Sequence, residues 1–310
     1  MKRIFIVFSI ILAVLSVMLG SCVEVDTDTK AEISTESPNS DPETTEEIIS
    51  EDTTAEETTA EETTAEETTE EITTEVPETT KEEIQMPATL RIGSYNIKHA
   101  ADANLNLNTI AKVITDANLD IVGLQEVDYL TTRSKKIDQP KKLSELTGMP
   151  YYVFVRAIDY QGGQYGTLIL SKYPIISSEI IPLESWNKEQ RALGHVVIDL
   201  GGRQIDFFNT HLSYEDRSLR GLQFLEVSEK LDLCKDFILT ADFNTADFSE
   251  FMILGGNLIN DTFRYYPTFP GSNSAIDNIV YSDAFKEIAS GTVTESYSDH
   301  YMLWAEFEIN

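Results

Sequence analysis

The sequence predicts an α/β fold over residues 88–310: two twisted mixed sheets packed face to face, with helices outside. Three observations predict it. A strand, a helix and a second strand follow one another between Thr89 and Glu126. Adjacent strands without intervening helices then fill residues 151–209. A helical stripe and a buried-type strand return between Ser218 and Thr240, before the closing strands.

Each element has its own justification. Thr89 to Asn96 alternates apolar and polar residues and reads as a strand ending at Asn96. Leu105, Leu107, Ile110, Ala111, Val113 and Ile114 form a helical stripe. Asp120 to Glu126 is a short apolar strand that ends at Glu126. Strand, helix, strand is a crossover unit, so the two strands lie parallel in one sheet. Pro140 to Leu146 reads as a short helix, and Tyr151–Val155, Thr167–Leu170 and Ile175–Pro182 as strands. Gly162 to Gly166 is the loop before the second of these. Ala192–Leu200 and Gln204–Asn209 pair as a hairpin across Gly201-Gly202. Leu222, Leu225, Val227 and Leu231 mark the inner face of the next helix. Phe237–Thr240, Asp277–Tyr281 and Tyr301–Ile309 complete the strands.

The first 87 residues are a different material. Met1-Lys2-Arg3 precedes an apolar run from Ile4 to Leu19, then Gly20-Ser21-Cys22. This is the pattern of a secretory signal, too short for a comfortable membrane-spanning helix. The cysteine after two small residues resembles a bacterial lipobox, which makes 1–21 a lipoprotein signal peptide and Cys22 the lipidated residue. From Val23 to Pro87, Thr-Thr-Ala-Glu-Glu recurs, and 23 acids face two lysines. Such a stretch cannot bury enough apolar surface to fold, so 22–87 is expected to be a disordered acidic tether. Self-repulsion keeps it extended, with reach as its role.

Of the formal charge of −30, residues 88–310 carry −11 once the tether's −21 and the two basic residues at the start are set aside. An acidic domain gains no general attraction to nucleic acid, which argues against a DNA-wrapping role. Cys234 is the one cysteine after Cys22, so stability must come from the core.

The chemistry collects at strand ends: Asn96, Glu126, His211, Asp242, Asn244, Asp277, Asp299 and His300. Singly, each has a bland reading as a turn or cap residue. Together they are rich in oxygen, with two imidazoles and no thiolate, which favours Mg²⁺ or Mn²⁺ over zinc. Mg²⁺ keeps waters for phosphate oxygens, so the set points to phosphoryl chemistry. His195, mid-strand, reads as a packing or surface residue.

The order of motifs carries a resemblance. Ser94-Tyr95-Asn96-Ile97, Leu124-Gln125-Glu126-Val127, Gly166 to Ile175, Glu189-Gln190-Arg191-Ala192, Asn209-Thr210-His211-Leu212, Ala241-Asp242-Phe243-Asn244, Ala275 to Ile279 and Ser298-Asp299-His300 follow one another. The chain from Leu90 to Glu308 thereby resembles the endonuclease/exonuclease/phosphatase superfamily. Deoxyribonuclease I, abasic-site endonucleases, neutral sphingomyelinases and inositol-polyphosphate 5-phosphatases belong to it. The resemblance implies a four-layered α-β-β-α sandwich of two mixed sheets. It implies that Glu126, with Asn96 and Asp299, holds the cation. Asp242 would orient or deprotonate the attacking water, with Asn244 beside it. Asp277 would pair with His300, His211 would contact the phosphate or help protonate the leaving oxygen, and Arg191 would offer donors to the phosphate. Ala241 and Thr167 depart from the glycine and asparagine common in the family.

The expectation is thus a monomeric, Mg²⁺-dependent phosphoester hydrolase, anchored to a bacterial surface through Cys22. Its substrate is a nucleic acid, a phospholipid headgroup or a small phosphoester. The alternative is a non-catalytic cell-surface binding domain on the same fold, which would show damage at positions that are here all filled.

Overall fold

The computed structural model describes residues 85–294 and 297–309. The signal segment, Cys22 and nearly all of the expected tether lie outside them. One sheet contains β1 (Thr89–Asn96), β2 (Ile121–Tyr129), β3 (Tyr151–Tyr160), β4 (Gly163–Ser171), β11 (Phe285–Val293) and β12 (Met302–Ile309). The other contains β5 (Ile175–Pro182), β6 (Ala192–Asp199), β7 (Gln204–His211), β8 (Phe237–Asp242), β9 (Asn257–Leu258) and β10 (Asp277–Tyr281). Their strand orders are β11-β12-β1-β2-β4-β3 and β5-β6-β7-β8-β10-β9. Both sheets are mixed: β1 runs parallel to β2 and β7 parallel to β8. A strand–helix–strand crossover requires the first of these.

Three apolar layers hold four structural layers together. Between the sheets pack Leu90, Ile92, Ile169 and Leu303 from one side and Val196, Phe207, Ile238 and Ile279 from the other. Helices α1 (Leu107–Asp116) and α2 (Gln139–Thr147) cover the outer face of the first sheet. There Ile110, Ile114 and Leu143 meet Val122, Leu124 and Leu170. Asn106 caps α1 and Asp138 caps α2, each accepting from a backbone N–H of the first turn. Helix α3 (Arg217–Leu231) covers the second sheet. The arrangement is the expected α-β-β-α sandwich. Among the described residues, no helix is long and apolar enough to cross a membrane.

Three local expectations need correction, and one strand was not anticipated. β2 does not stop at Glu126 but runs to Tyr129 through an irregularity between Leu124 and Val127. Gly163 to Gly166 is not loop but the start of β4, because Gln161 and Gly162 take the left-handed conformation and close a tight hairpin turn. β11, an edge strand with mostly half-exposed residues, has no clear alternation to announce it. The inner face of α3 carries Leu219, Phe224, Val227 and Leu231, whereas Leu222 and Leu225 are only half-buried. Phe224 sets that rotation by stacking on Phe243 at 5.4 Å and meeting Phe251 edge-on at 5.2 Å.

Gly166 is required by a close approach. A Cβ there would sit 2.0 Å from the Val155 carbonyl oxygen, where the β3 ladder slips between Arg156 and Ile158. Backbone cannot step aside as a side chain does. Gly166→Ala is therefore expected to lower unfolding stability by about 3 kcal/mol, read from a urea midpoint.

Candidate active site

The two parallel pairs bring the ends of β1, β7 and β8 and the irregular part of β2 to one rim. Asn96 ends β1, and Glu126 lies in the irregular part of β2 beside it. In the second sheet His211 ends β7 and pairs in register with Asp242, the last residue of β8. Asp277, the first residue of β10, pairs with Asp242 from the other side. Asp242 is thus flanked within its own sheet by His211 and Asp277.

A buried polar network clamps the sheets together beneath this rim. Asn209 Nδ2 donates to the Leu124 and Leu168 carbonyls at 3.0 and 3.1 Å. Its Oδ1 accepts from Gln125 Nε2 at 2.7 Å and Thr240 Oγ1 at 3.2 Å. Sequence reasoning left Asn209 and Gln125 without a role. Their signal was present, since both are polar residues inside strands that must be buried. Asn209→Ala would remove four buried hydrogen bonds, including the shortest one that Gln125 Nε2 makes. Unfolding stability is expected to fall by about 3 kcal/mol in chemical denaturation.

Asp242 is the hub. Its Oδ2 accepts from Asn96 Nδ2 at 2.9 Å, and Oδ1 accepts from the Asn244 backbone N–H at 2.9 Å. His211 Nε2 lies 3.4 Å and His300 Nε2 3.7 Å from Oδ2. Asn244 reaches its place through a left-handed backbone, φ 53°, a conformation asparagine tolerates. Its Nδ2 donates to the Leu212 carbonyl. Burial, and then the charge of Asp277, push the Asp242 carboxyl up to about 7.

The two imidazoles differ in charge. His300 Nδ1 lies 2.8 Å from Asp277 Oδ2, so the expected pair is formed. Burial works against a charged His300, but Asp277 and then Asp242 outweigh it and hold the ring up to about 10. His300 is thus an imidazolium between two carboxylates, with Nε2–H aimed into the site. His211 is the opposite case. Burial, then the charges of Arg191 and His300, lower it well below the ordinary histidine range. Arg191 Nη1 donates to His211 Nδ1 at 3.0 Å, so the proton of the neutral ring sits on Nε2, facing Asp242. A neutral His211 is a hydrogen-bond donor and a poor acid. Of the two roles left open for it, contact rather than protonation is the one this geometry supports. Arg191 also pairs with Glu189 at 2.9 Å, so part of its fork is already engaged, while its buried Nε has no partner.

Glu126 and Asp299 occupy the opposite corner. Glu126 Oε1 accepts from Asn96 Nδ2 at 3.0 Å. Its backbone is held at φ 56°, strain of the kind that persists when the surroundings fix a functional side chain. Burial, chiefly, raises the Glu126 carboxyl, and Asp299 adds to the rise while Asn96 and His300 offset it. Asp299 bonds Lys98 Nζ at 3.0 Å, and Ser298 Oγ ties the segment to the Asn96 carbonyl at 2.7 Å. Lys98 is thereby a partner of Asp299.

These groups fit a hard divalent cation. Glu126 and Asp299 supply carboxylate oxygens of the kind such an ion prefers, and Asn96 steadies Glu126 through its Nδ2 while its Oδ1 accepts from the Lys98 N–H. Asp242, Asp277 and His300 also place three ligand atoms within 4.8 Å of one another. There the His300 ring counters the charge of the two acids.

A two-sheet sandwich with a buried acid–imidazolium group beside an oxygen-lined cation corner defines a metal-dependent hydrolase of phosphoric esters. The model of the Endonuclease/Exonuclease/phosphatase family matches residues 93–300, and the chain belongs to that family. By sequence, no curated protein matches the chain significantly. Solved structures share the fold. An endonuclease/exonuclease/phosphatase from Beutenbergia cavernae aligns with TM-score 0.63 and 21% identity, over 72% of each chain. A mannosyl-6-phosphatase from Bacteroides thetaiotaomicron aligns with TM-score 0.54 and 20% identity, over 70% of this chain and 99% of that one. D. rerio TDP2, complexed with a single-strand DNA product, aligns with TM-score 0.56 and 18% identity, over 71% and 99%.

Proposed function

We propose that this chain is an Mg²⁺- or Mn²⁺-dependent hydrolase of phosphoester bonds, displayed as a monomer on a bacterial surface through a lipidated Cys22. The observation that carries the activity is the convergence of Asn96, His211, His300 and the Asn244 backbone on one buried carboxylate, Asp242. Glu126, Asn96 and Asp299 would hold the cation, which would supply neutralisation of phosphate oxygens and of the charge developing on the leaving oxygen. Asp242 Oδ2 takes a proton from the attacking water. Asn96 and Asn244 keep that carboxylate in one orientation, so little reorganisation is needed. His300 Nε2–H donates to a phosphate oxygen, and Asp277 fixes its tautomer and charge. His211 Nε2–H offers a second donor, held in place by Arg191.

Among phosphoesters, the charge of −11 favours a small ester or a lipid headgroup over a long polyanion. The relative named a mannosyl-6-phosphatase is consistent with this; the one solved with a DNA product marks the competing choice. The test is a panel of plasmid DNA, RNA, sphingomyelin vesicles and inositol phosphates, incubated with the full chain and Mg²⁺ at physiological salt. Turnover should be fastest on the lipid or the small esters. Faster cleavage of DNA or RNA would overturn the substrate reading, and inertness on every member would overturn the activity.

A further inference from the structure

At the other end of the second sheet, on the face covered by α3, three metal-ligating side chains converge. In the β6–β7 ladder His195 pairs with Phe208 and Val197 with Asp206, which puts His195 and Asp206 diagonally adjacent on one face. His195 Nε2 lies 2.7 Å from Asp206 Oδ1. The His195 ring stacks on buried Phe208 at 4.3 Å and 9°, so its orientation is set without using either nitrogen. α3 ends at Leu231, and the Cys234 N–H bonds the Leu231 carbonyl, which turns the chain back toward the sheet. The ligand atoms of His195, Asp206 and Cys234 then lie within 4.8 Å of one another, and all three residues are half-buried.

This cluster is separate from the active site. Asp206 lies five residues before His211 on β7, roughly 17 Å away at about 3.4 Å per residue. The donors are also different: one thiol, one imidazole and one carboxylate, against the all-oxygen corner of Glu126 and Asp299.

We propose that His195, Asp206 and Cys234 form a second metal site, for a zinc-type divalent cation with water as fourth ligand. Borderline-soft ions take S, N and O donors together, and three protein ligands on a half-open surface leave one position to solvent. On binding, the Cys234 S–H bond breaks, its proton leaves to solvent and an Sγ–metal bond forms. His195 binds through Nε2 and keeps its proton on Nδ1. No electron is exchanged. Without a cation, burial and then Asp206 push the thiol up to about 12, so it stays protonated beside the carboxylate. Its contact with the Lys230 carbonyl at 3.6 Å is long and easily given up. The bound ion would clip β6, β7 and the α3–β8 connection together.

The test uses the full chain with Cys22→Ser, so that Cys234 is the only thiol. After chelator treatment and dialysis it is titrated with Co²⁺. A thiolate-to-cobalt charge-transfer band in the near ultraviolet should saturate at one equivalent and bleach when Zn²⁺ is added. The oxygen-lined active site cannot produce that band. Cys234→Ser should abolish it, and His195→Gln should weaken binding at least tenfold, with unchanged far-UV circular dichroism. If either variant does not fold, alkylation replaces it: Zn²⁺ should slow reaction of Cys234 with iodoacetamide at least tenfold in the parent. No band, a band that survives Cys234→Ser, unaltered affinity in His195→Gln, or alkylation indifferent to Zn²⁺ would each overturn the site.

Discussion

Asp242→Asn is expected to lower kcat on a phosphodiester by about 10³-fold, the range lost with a general base. The substitution keeps the shape of the side chain and one acceptor oxygen, so the Asn244 backbone contact at 2.9 Å can persist. What it removes is the carboxylate that burial and Asp277 hold near 7, where a base is both populated at neutral pH and strong enough to take a proton. The new amide would also face Asn96 Nδ2 and His211 Nε2, two donors with no acceptor between them unless it turns. Stability should change little, because relief of a costly buried charge offsets the loss of an acceptor for Asn96 and His211. Near-wild-type kcat would refute the assignment of Asp242.

His300→Ala is the second large effect, about 10²–10⁴-fold in kcat. Its distinguishing signature is in the pH profile. Asp242 must be ionised, so the rate rises with pH through the Asp242 pKa of about 7. His300 must be protonated, so the rate falls as pH passes about 10. A bound divalent cation moves both limbs down, favouring the carboxylate and disfavouring the imidazolium. Asp277→Asn removes a charge that raises both groups, so both limbs should shift to lower pH relative to the parent. His300→Ala should erase the alkaline limb. An alkaline limb unmoved in Asp277→Asn would show that the charge on His300 is not set by that pair.

Much of this site was legible because its residues close strands. The alternation of Thr89–Asn96 and the apolar run Phe237–Thr240 each stop at a polar residue, and parallel pairing turns those stops into one rim. The Asp277–His300 pair, by contrast, came from the family resemblance, since 23 residues of separation say nothing of contact. Glu126 was identified as a site residue with its backbone misread. Its left-handed conformation inside β2 follows from packing, and no glycine or asparagine announces it. The turn at Gln161-Gly162 was obscured by a second glycine whose place is in the strand. The Asn209 clamp joins Gln125 to a residue 84 positions away, a contact that only the packing of one sheet on the other creates. The rotation of α3 depended on Phe224 finding Phe243 and Phe251, which periodicity within the helix cannot report.

The central proposal is that the rim around Asp242 hydrolyses phosphoesters with a divalent cation. The direct measurement is release of 4-nitrophenol from bis(4-nitrophenyl) phosphate by the full chain. It should proceed with Mg²⁺ or Mn²⁺, stop with EDTA, resume when metal is restored, and be lost in Asp242→Asn under the same conditions. Turnover that ignores EDTA, or none with either metal, would contradict it.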